Sequence, residues 1–429
     1  QFAYNHRADR LTVPDWAADA VVYNIFPDSF ASRAGCLARQ PQSASLGGET
    51  CRSLLGGTLR GIRENLDAIE RLGCNCLYLN PIFAAGCYHK YDTLDYFRVD
   101  PCFGTGEDLR RLVHAAHARG MRVILDGVFN HVSSRHPFFQ DVLARGRQSR
   151  YYRWFYDLPE HPRLPAEGEL PEYACFSYVA DMPKTDLSCP EACAYFCEVG
   201  RYWIETFDID GWRLDVAADL GNSREYNHQF WKKFRKAVKE ANPEAVILAE
   251  NYGDSYDWLQ GDEWDTIMNY DAFMEPVTWF LTGMQKHSDE FRQDMLGNAG
   301  NFFGAMHHNM SRMGGQAVAI SMNELSNHDH SRFLTRTNHR VGRTASVGAE
   351  AANEGVNKAV FMEAVIIQMT WPGAPTIYYG DEAGVCGWTD PDNRRTYPWG
   401  SEDQELIAFH KAAIAMHKSQ EVLKTGSYK

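Results

Sequence analysis

A chain of 429 residues exceeds what one hydrophobic core usually holds, so one large domain with an insertion, or two domains, is expected. Its net charge of −13, from 43 basic and 56 acidic side chains, disfavours a surface built to track nucleic-acid phosphates. No apolar run of about 18 residues occurs, and the start lacks a basic region followed by an apolar stretch, so neither a membrane span nor a signal peptide is expected.

The 11 cysteines are odd in number and scattered, which points to reduced thiols and a cytoplasmic setting; Cys36 and Cys51 remain a candidate pair. Cys189, Cys193 and Cys197 repeat at helical spacing. With no fourth ligand nearby, they read as small buried hydrophobes on a helix covering Ala192 to Trp203 rather than as a metal set.

In chain order, eight short apolar runs end in polar residues: Val21 to Pro27, Cys76 to Ile82, Arg122 to Asn130, Asp210 to Val216, Ala245 to Glu250, Thr266 to Asp271, Ala319 to Asp329 and Pro375 to Glu382. Helical patterns separate them. Ahead of the third, Leu109, Leu112, Val113 and Ala116 fall on one face of Glu107 to Arg119, and Gly120 supplies the stop. Eight strands alternating with helices favour a closed (β/α)8 barrel of the TIM type.

The interval from Asp126 to Asp215 is far longer than the roughly 31 residues one βα unit uses. Residues 131–186, rich in Arg, Tyr and Pro and poor in periodicity, therefore read as an irregular inserted domain after the third strand. The expected organisation is residues 1–130 as the first part of the barrel, 131–186 inserted, 187–420 the rest of the barrel, and 421–429 the start of a further C-terminal region.

Barrel chemistry sits at the C-terminal ends of strands, where Asp126, Asp215, Glu250 and Asp329 fall. Glycosidic cleavage needs one protonated and one ionised carboxyl. Arg213, two residues before Asp215, shares its side of the strand and is expected to keep Asp215 ionised; Glu250, after Val246-Ile247-Leu248-Ala249, is expected in apolar company as the protonated acid. His131 and His328 flank these acids and are candidate donors to sugar hydroxyls.

The segments Asp126-Gly-Val-Phe-Asn-His131, Gly211-Trp-Arg-Leu-Asp215, Ala249-Glu250-Asn251 and Asn327-His-Asp329 resemble the four signature regions of the α-amylase family of glycoside hydrolases. The likeness runs from Val21-Val-Tyr-Asn-Ile-Phe-Pro-Asp28 through His89-Lys-Tyr-Asp-Thr93 to Tyr378-Tyr-Gly-Asp-Glu382. It implies Asp215 as nucleophile, Glu250 as general acid/base and Asp329 as the third carboxylate holding the distorted sugar. By the same resemblance Tyr91 stacks on the sugar, Arg213, His131 and His328 bind it, and Asp126 orients its neighbours.

Met182-Pro-Lys184 and Asp390-Pro-Asp-Asn-Arg-Arg395 resemble the branch of neopullulanases, cyclomaltodextrinases and maltogenic amylases, which implies Asp390 and Arg394 as donor-side sugar contacts. The implied reaction is retaining hydrolysis of α-1,4-glucosidic bonds, and of α-1,6 bonds, in maltooligosaccharides, cyclomaltodextrins, pullulan or starch. A glucan transferase or isomerase on the same barrel, or a non-catalytic sugar-binding relative, is the alternative.

Three departures stand out: Thr185-Asp186 follows Lys184 where the branch has Leu-Asn, Tyr252 stands where Trp or His is common, and Ala218 and Asp219 replace a Lys and a calcium-binding His. Ala31 to Leu55 contains neither Asp nor Asn, unlike the branch's calcium loop. Asn130 is the one oxygen ligand in view, so calcium is a doubtful addition, no metal is assigned and no cofactor is expected to be required. The expected partner is an α-glucan, not nucleic acid or a membrane, and a homodimer belongs to a longer form of the protein.

Overall fold

Short apolar runs bounded by polar residues form eight parallel strands in a computed structural model that describes residues 12–32, 54–166, 168–221 and 223–426. They are β1 (Val22–Ile25), β2 (Cys76–Leu79), β3 (Arg122–Gly127), β4 (Gly211–Leu214), β5 (Val246–Ala249), β6 (Thr266–Ile267), β7 (Met322–Glu324) and β8 (Ala374–Tyr378). Almost every strand residue is buried, as a parallel sheet covered on both faces requires. The hydrogen-bonded order is β6-β5-β4-β3-β2-β1-β8-β7. A parallel bridge from Met268 to Met322, with the Asn269 N–H donating to the Met322 carbonyl at 2.9 Å, spans the remaining seam. The (β/α)8 barrel expected from the sequence is present.

Alternation along each strand sorts the side chains. Trp212, Leu214, Ile247 and Leu125 face the helices in one continuous core, whereas Val22, Cys76, Tyr78, Ile124, Val246, Leu248, Met268 and Met322 pack inside the barrel. Two residues further along, the inward positions become polar: Asp126, Arg213 and Glu250 follow Ile124, Gly211 and Leu248. Register places Asp126 directly beside Arg213. The barrel is thus apolar at its base and charged at its C-terminal mouth.

The helix before β3 spans Gly106–His117, shorter than expected, with Thr105 and Asp108 closing a reciprocal cap at its start. The three clustered cysteines belong to the helix Pro190–Phe207, longer than expected, with Cys189 at its cap. Cys189 and Cys193 are buried and Cys197 is half-buried. Cys36 and Cys51 lie outside the described residues. No described helix is long and apolar enough to cross a membrane.

Within residues 131–186 a helix, Pro137–Arg145, is followed by single turns, and Phe139, Val142, Phe155 and Tyr173 join the same core as the barrel. An antiparallel bridge from His131 to Lys184 ties the two ends of the excursion together, and one from Phe155 to Thr185 ties its middle to its end. The sequence reading did not foresee the antiparallel hairpin of Phe83–Ala85 and Thr93–Val99 above β2, whose connecting turn carries Tyr91.

Gly211 opens β4, and a Cβ there would lie 2.4 Å from the Val246 carbonyl oxygen. Gly211→Ala must therefore push β4 from β5, just below Arg213 and Asp215. The variant is expected to lose about 1–3 kcal/mol of stability and to melt at lower temperature, whereas Gly315→Ala, with no atom within 4 Å of the added carbon, melts as the parent does. Equal melting of the two variants would contradict this packing.

Candidate active site

β4 delivers Arg213 and, one residue past its end, Asp215 to the mouth. Arg213 is wholly buried. Its Nη1 donates to Asp126 Oδ1 at 3.0 Å and to Asp215 Oδ1 at 2.9 Å, its Nη2 lies 3.0 Å from Glu250 Oε2, and its Nε points at the Met268 sulfur at 3.2 Å. One guanidinium thus ties together acids from three adjacent strands. The chain turns sharply after Asp215, where Val216 adopts φ 45°, a left-handed conformation that a β-branched residue takes only at a cost. That turn aims the Val216 N–H at Glu250 Oε2, 2.9 Å away.

These contacts revise the expected electrostatics. Glu250 is not in apolar company, because Arg213 reaches it as well as Asp215. Burial, followed by the charge of Glu250, pushes the Asp215 carboxyl well above its ordinary range against the opposing pull of Arg213. Asp126 is raised by burial too, with Arg213 and the Tyr78 hydroxyl holding it down.

Tyr91 donates its hydroxyl proton to Asp126 Oδ2 at 2.9 Å, beside Tyr78, which donates to the same oxygen at 2.7 Å. The Tyr91 ring lies 5.3 Å from that of His328 and nearly parallel to it, at 9°. The Asn80 amide nitrogen, 3.1 Å from His328 Nδ1, can only donate, so that nitrogen accepts and Nε2 carries the proton. Nε2 then donates to the Tyr91 oxygen at 2.6 Å. Burial, then Arg213 and Arg394, drives the His328 pKa far below its usual value, and the ring is neutral.

His131 is held to about 4 by burial. By the same logic its Nδ1 accepts from the Asn130 amide and its Nε2 donates to the Tyr91 carbonyl, both at 3.1 Å. The ring positions Tyr91 through the backbone, with both nitrogens engaged by the chain itself.

Asp329 has a side chain 35% exposed, facing the mouth. Arg394, 5% exposed, stands behind it: Nη2 is 3.3 Å from Asp329 Oδ1 and 3.4 Å from Asp390 Oδ2. Its Nε donates to the His328 carbonyl and its Nη1 to the Tyr88 hydroxyl, each at 2.8 Å. Asp126, Tyr91, Arg213, Asp215, Glu250 and His328 therefore form one bonded cluster. Asp329, Asp390 and Arg394 join it through the backbone of His328, and His131 joins it through that of Tyr91.

Four residues of the mouth escaped the sequence reading. Tyr78 and Asn80 alternate with Leu79 along β2 and its end, and that period of two is the signal that would have found them. Glu324, buried at the end of β7, accepts from the Asn327 amide at 2.7 Å. Lys286 Nζ lies 4.3 Å from the centre of the Tyr252 ring, a pairing of distant segments with no local signature. Beside the ends of β4 and β5, a cavity of about 400 Å³ is lined by Ala218, Asp219, Asn251, Tyr252, Asp254 and Trp258 among others.

Most of the Ala31 to Leu55 segment compared with the branch's calcium loop lies outside the described residues. The buried Asn130 Oδ1 has no hydrogen-bond partner, and Lys184, whose backbone is bridged to that of His131, holds Asp219 at 2.9 Å.

Burial raises Glu324 and Glu263 to about 8 and Glu382 to about 7, against about 4.3 in an unfolded chain. The folded protein keeps protons that the unfolded chain releases, so this stabilisation is complete below about pH 4.3 and is lost as pH rises through 7 to 8. His131 and His136, lowered to about 4 by burial, act in the opposite sense only below about pH 6.5. Resistance to urea is expected to fall between about pH 6.5 and 8, less steeply in Glu324→Gln. A flat or rising profile for the parent protein would contradict these burials.

The model of the alpha amylase catalytic domain matches residues 24–422. The chain is 39% identical over 438 residues to Neopullulanase 2 of Thermoactinomyces vulgaris, covering 100% of this chain and 67% of that protein. It is 39% identical over 430 residues to the cyclomaltodextrinase of Geobacillus thermopakistaniensis, covering 99% of this chain and 66% of that protein. A solved cyclomaltodextrinase superposes with a TM-score of 0.82 at 34% identity, covering 99% of this chain and 67% of its own. The chain thus spans about two thirds of the length of these relatives. With the barrel, the strand-end acids and matches of this extent together, the chain belongs to the α-amylase family of glycoside hydrolases.

Proposed function

We propose that this chain cleaves α-1,4-glucosidic bonds, and α-1,6 bonds, in maltooligosaccharides, cyclomaltodextrins, pullulan or starch with retention at the anomeric carbon. The carrying observation is Arg213, whose single guanidinium reaches both Asp215 and Glu250. Retention requires two carboxyls only about 5–5.5 Å apart, close enough for one to attack directly.

In this reading Glu250 gives its proton to the leaving glycosidic oxygen while the Asp215 carboxylate bonds to the anomeric carbon. Glu250, now ionised, takes a proton from water, and the hydroxide character so generated displaces Asp215. Burial and the charge of Glu250 raise the Asp215 carboxyl, and Arg213 pulls it back toward the ionised form that attack requires. Asp329, braced by Arg394, binds hydroxyls of the distorted sugar. Tyr91 supplies a ring face, fixed at both ends by His131 and His328. Asp126 orients Arg213 and Tyr91.

Residues 131–186 act as the inserted domain walling one side of the cleft. The cavity near Tyr252 receives the leaving sugar, with the Lys184–Asp219 pair at its edge. A cytoplasmic setting is the reading supported by a relative named intracellular maltogenic amylase in Bacillus subtilis, 38% identical over 430 residues.

Glu250→Gln is expected to lower kcat on natural glucans by about 10²–10⁴, yet to retain more of its activity on an aryl glycoside whose leaving group needs no proton. Asp215→Asn is expected to lose turnover of both substrates while melting as a folded protein. Parent-level hydrolysis by either variant would overturn its assigned role. Incubation with a cyclomaltodextrin, pullulan and starch separately tests the substrate class: opening of the cyclic sugar together with panose or maltose release supports it, and inactivity on all three contradicts it.

A further inference from the structure

The hairpin turn that carries Tyr91 also gathers three donors of different chemistry. A Cys87 sulfur, a His89 ring nitrogen and an Asp92 carboxylate oxygen all lie within 4.8 Å of one another. Asp92 is 3% and His89 9% exposed. The Cys87 N–H donates to Asp92 Oδ1 at 2.9 Å, and the Cys87 thiol also bonds to that carboxyl. The cluster is therefore held together by the turn's own backbone.

We propose that Cys87, His89 and Asp92 bind a zinc-class divalent cation, with water in the fourth position. The donor set selects the ion: sulfur, nitrogen and oxygen together suit zinc, cobalt and their neighbours, whereas calcium and magnesium require oxygen donors throughout. Bond lengths of about 2.0–2.3 Å require the three atoms to close to roughly 3.5 Å, a movement within reach of rotations in one short turn.

On binding, the sulfur–hydrogen bond of Cys87 breaks, its proton leaves to water and a sulfur–metal bond forms, with no change of oxidation state. Arg135 Nη2, 3.8 Å from Asp92 Oδ2, is the opposing charge, but its side chain is 61% exposed and free to swing away. Lys90 is occupied by Asp100 at 2.9 Å. Gly86 makes the room: a Cβ there would sit 2.2 Å from Asp92 Oδ2 and 1.9 Å from Arg135 Nη2.

The site would share its turn with the sugar-facing residue, since the Tyr91 N–H donates to His89 Nδ1 at 3.1 Å. A bound cation would stiffen the segment that presents Tyr91.

The test is titration of the chelator-treated protein with cobalt(II), without substrate. One equivalent is expected to bind with a thiolate-to-cobalt charge-transfer band, and zinc is expected to displace it. Cys87→Ser, which keeps a hydroxyl donor to Asp92, is expected to abolish the band and weaken zinc binding at least tenfold, as is typical when a ligand shell is disturbed. His89→Gln is expected to weaken zinc while keeping a thiolate band. No stoichiometric cobalt binding by the parent, or a band unchanged in Cys87→Ser, would overturn the proposal.

Discussion

Arg213 carries a permanent charge at 0% exposure, and its balance comes from Asp126, Asp215 and Glu250 on three adjacent strands. A buried guanidinium alone is costly, and so is each buried carboxylate; removing one partner of such a set typically costs about 3–5 kcal/mol. Three acids against one base leave an excess of negative charge that burial opposes. A retained proton relieves it. Burial raises the Asp215 carboxyl and Arg213 opposes that rise, so the guanidinium sets how charge is shared at the barrel mouth.

The rest of the molecule serves that cluster at increasing distance. Parallel strands with apolar residues at the base hold the charged layer in register, Asp126 opposite Arg213. Left-handed Val216 bends the chain so that its N–H braces Glu250. Above the strands, the hairpin brings Tyr91 over Asp126, and His131 and His328 fix its backbone and its hydroxyl. From the far side Arg394 links Asp329 to Asp390. Neutral histidines matter here, because each must accept on one ring nitrogen and donate from the other.

Strand positions were legible because strands buried on both faces leave uninterrupted apolar runs such as Val246-Ile247-Leu248-Ala249, and strand-end acids were legible because the barrel assigns chemistry to those ends. The hairpin was not, since Phe83–Ala85 is only three residues long and pairs with a strand of mixed polarity. The surroundings of Glu250 were misread for a related reason. Its chain neighbours are apolar, but a side chain pointing into the barrel meets residues of the next strand, and Arg213 comes from there. The same limit hid the Lys184–Asp219 pair, whose members are distant in the chain and join only when the insertion folds back.

The most direct measurement is capture of the covalent intermediate with a fluorinated glucosyl fluoride, followed by peptide mapping in a mass spectrometer. The account predicts a stable glucosyl ester on the peptide containing Asp215, formed once per chain. An adduct on Glu250 or Asp329, or inactivation with no adduct at all, would contradict it.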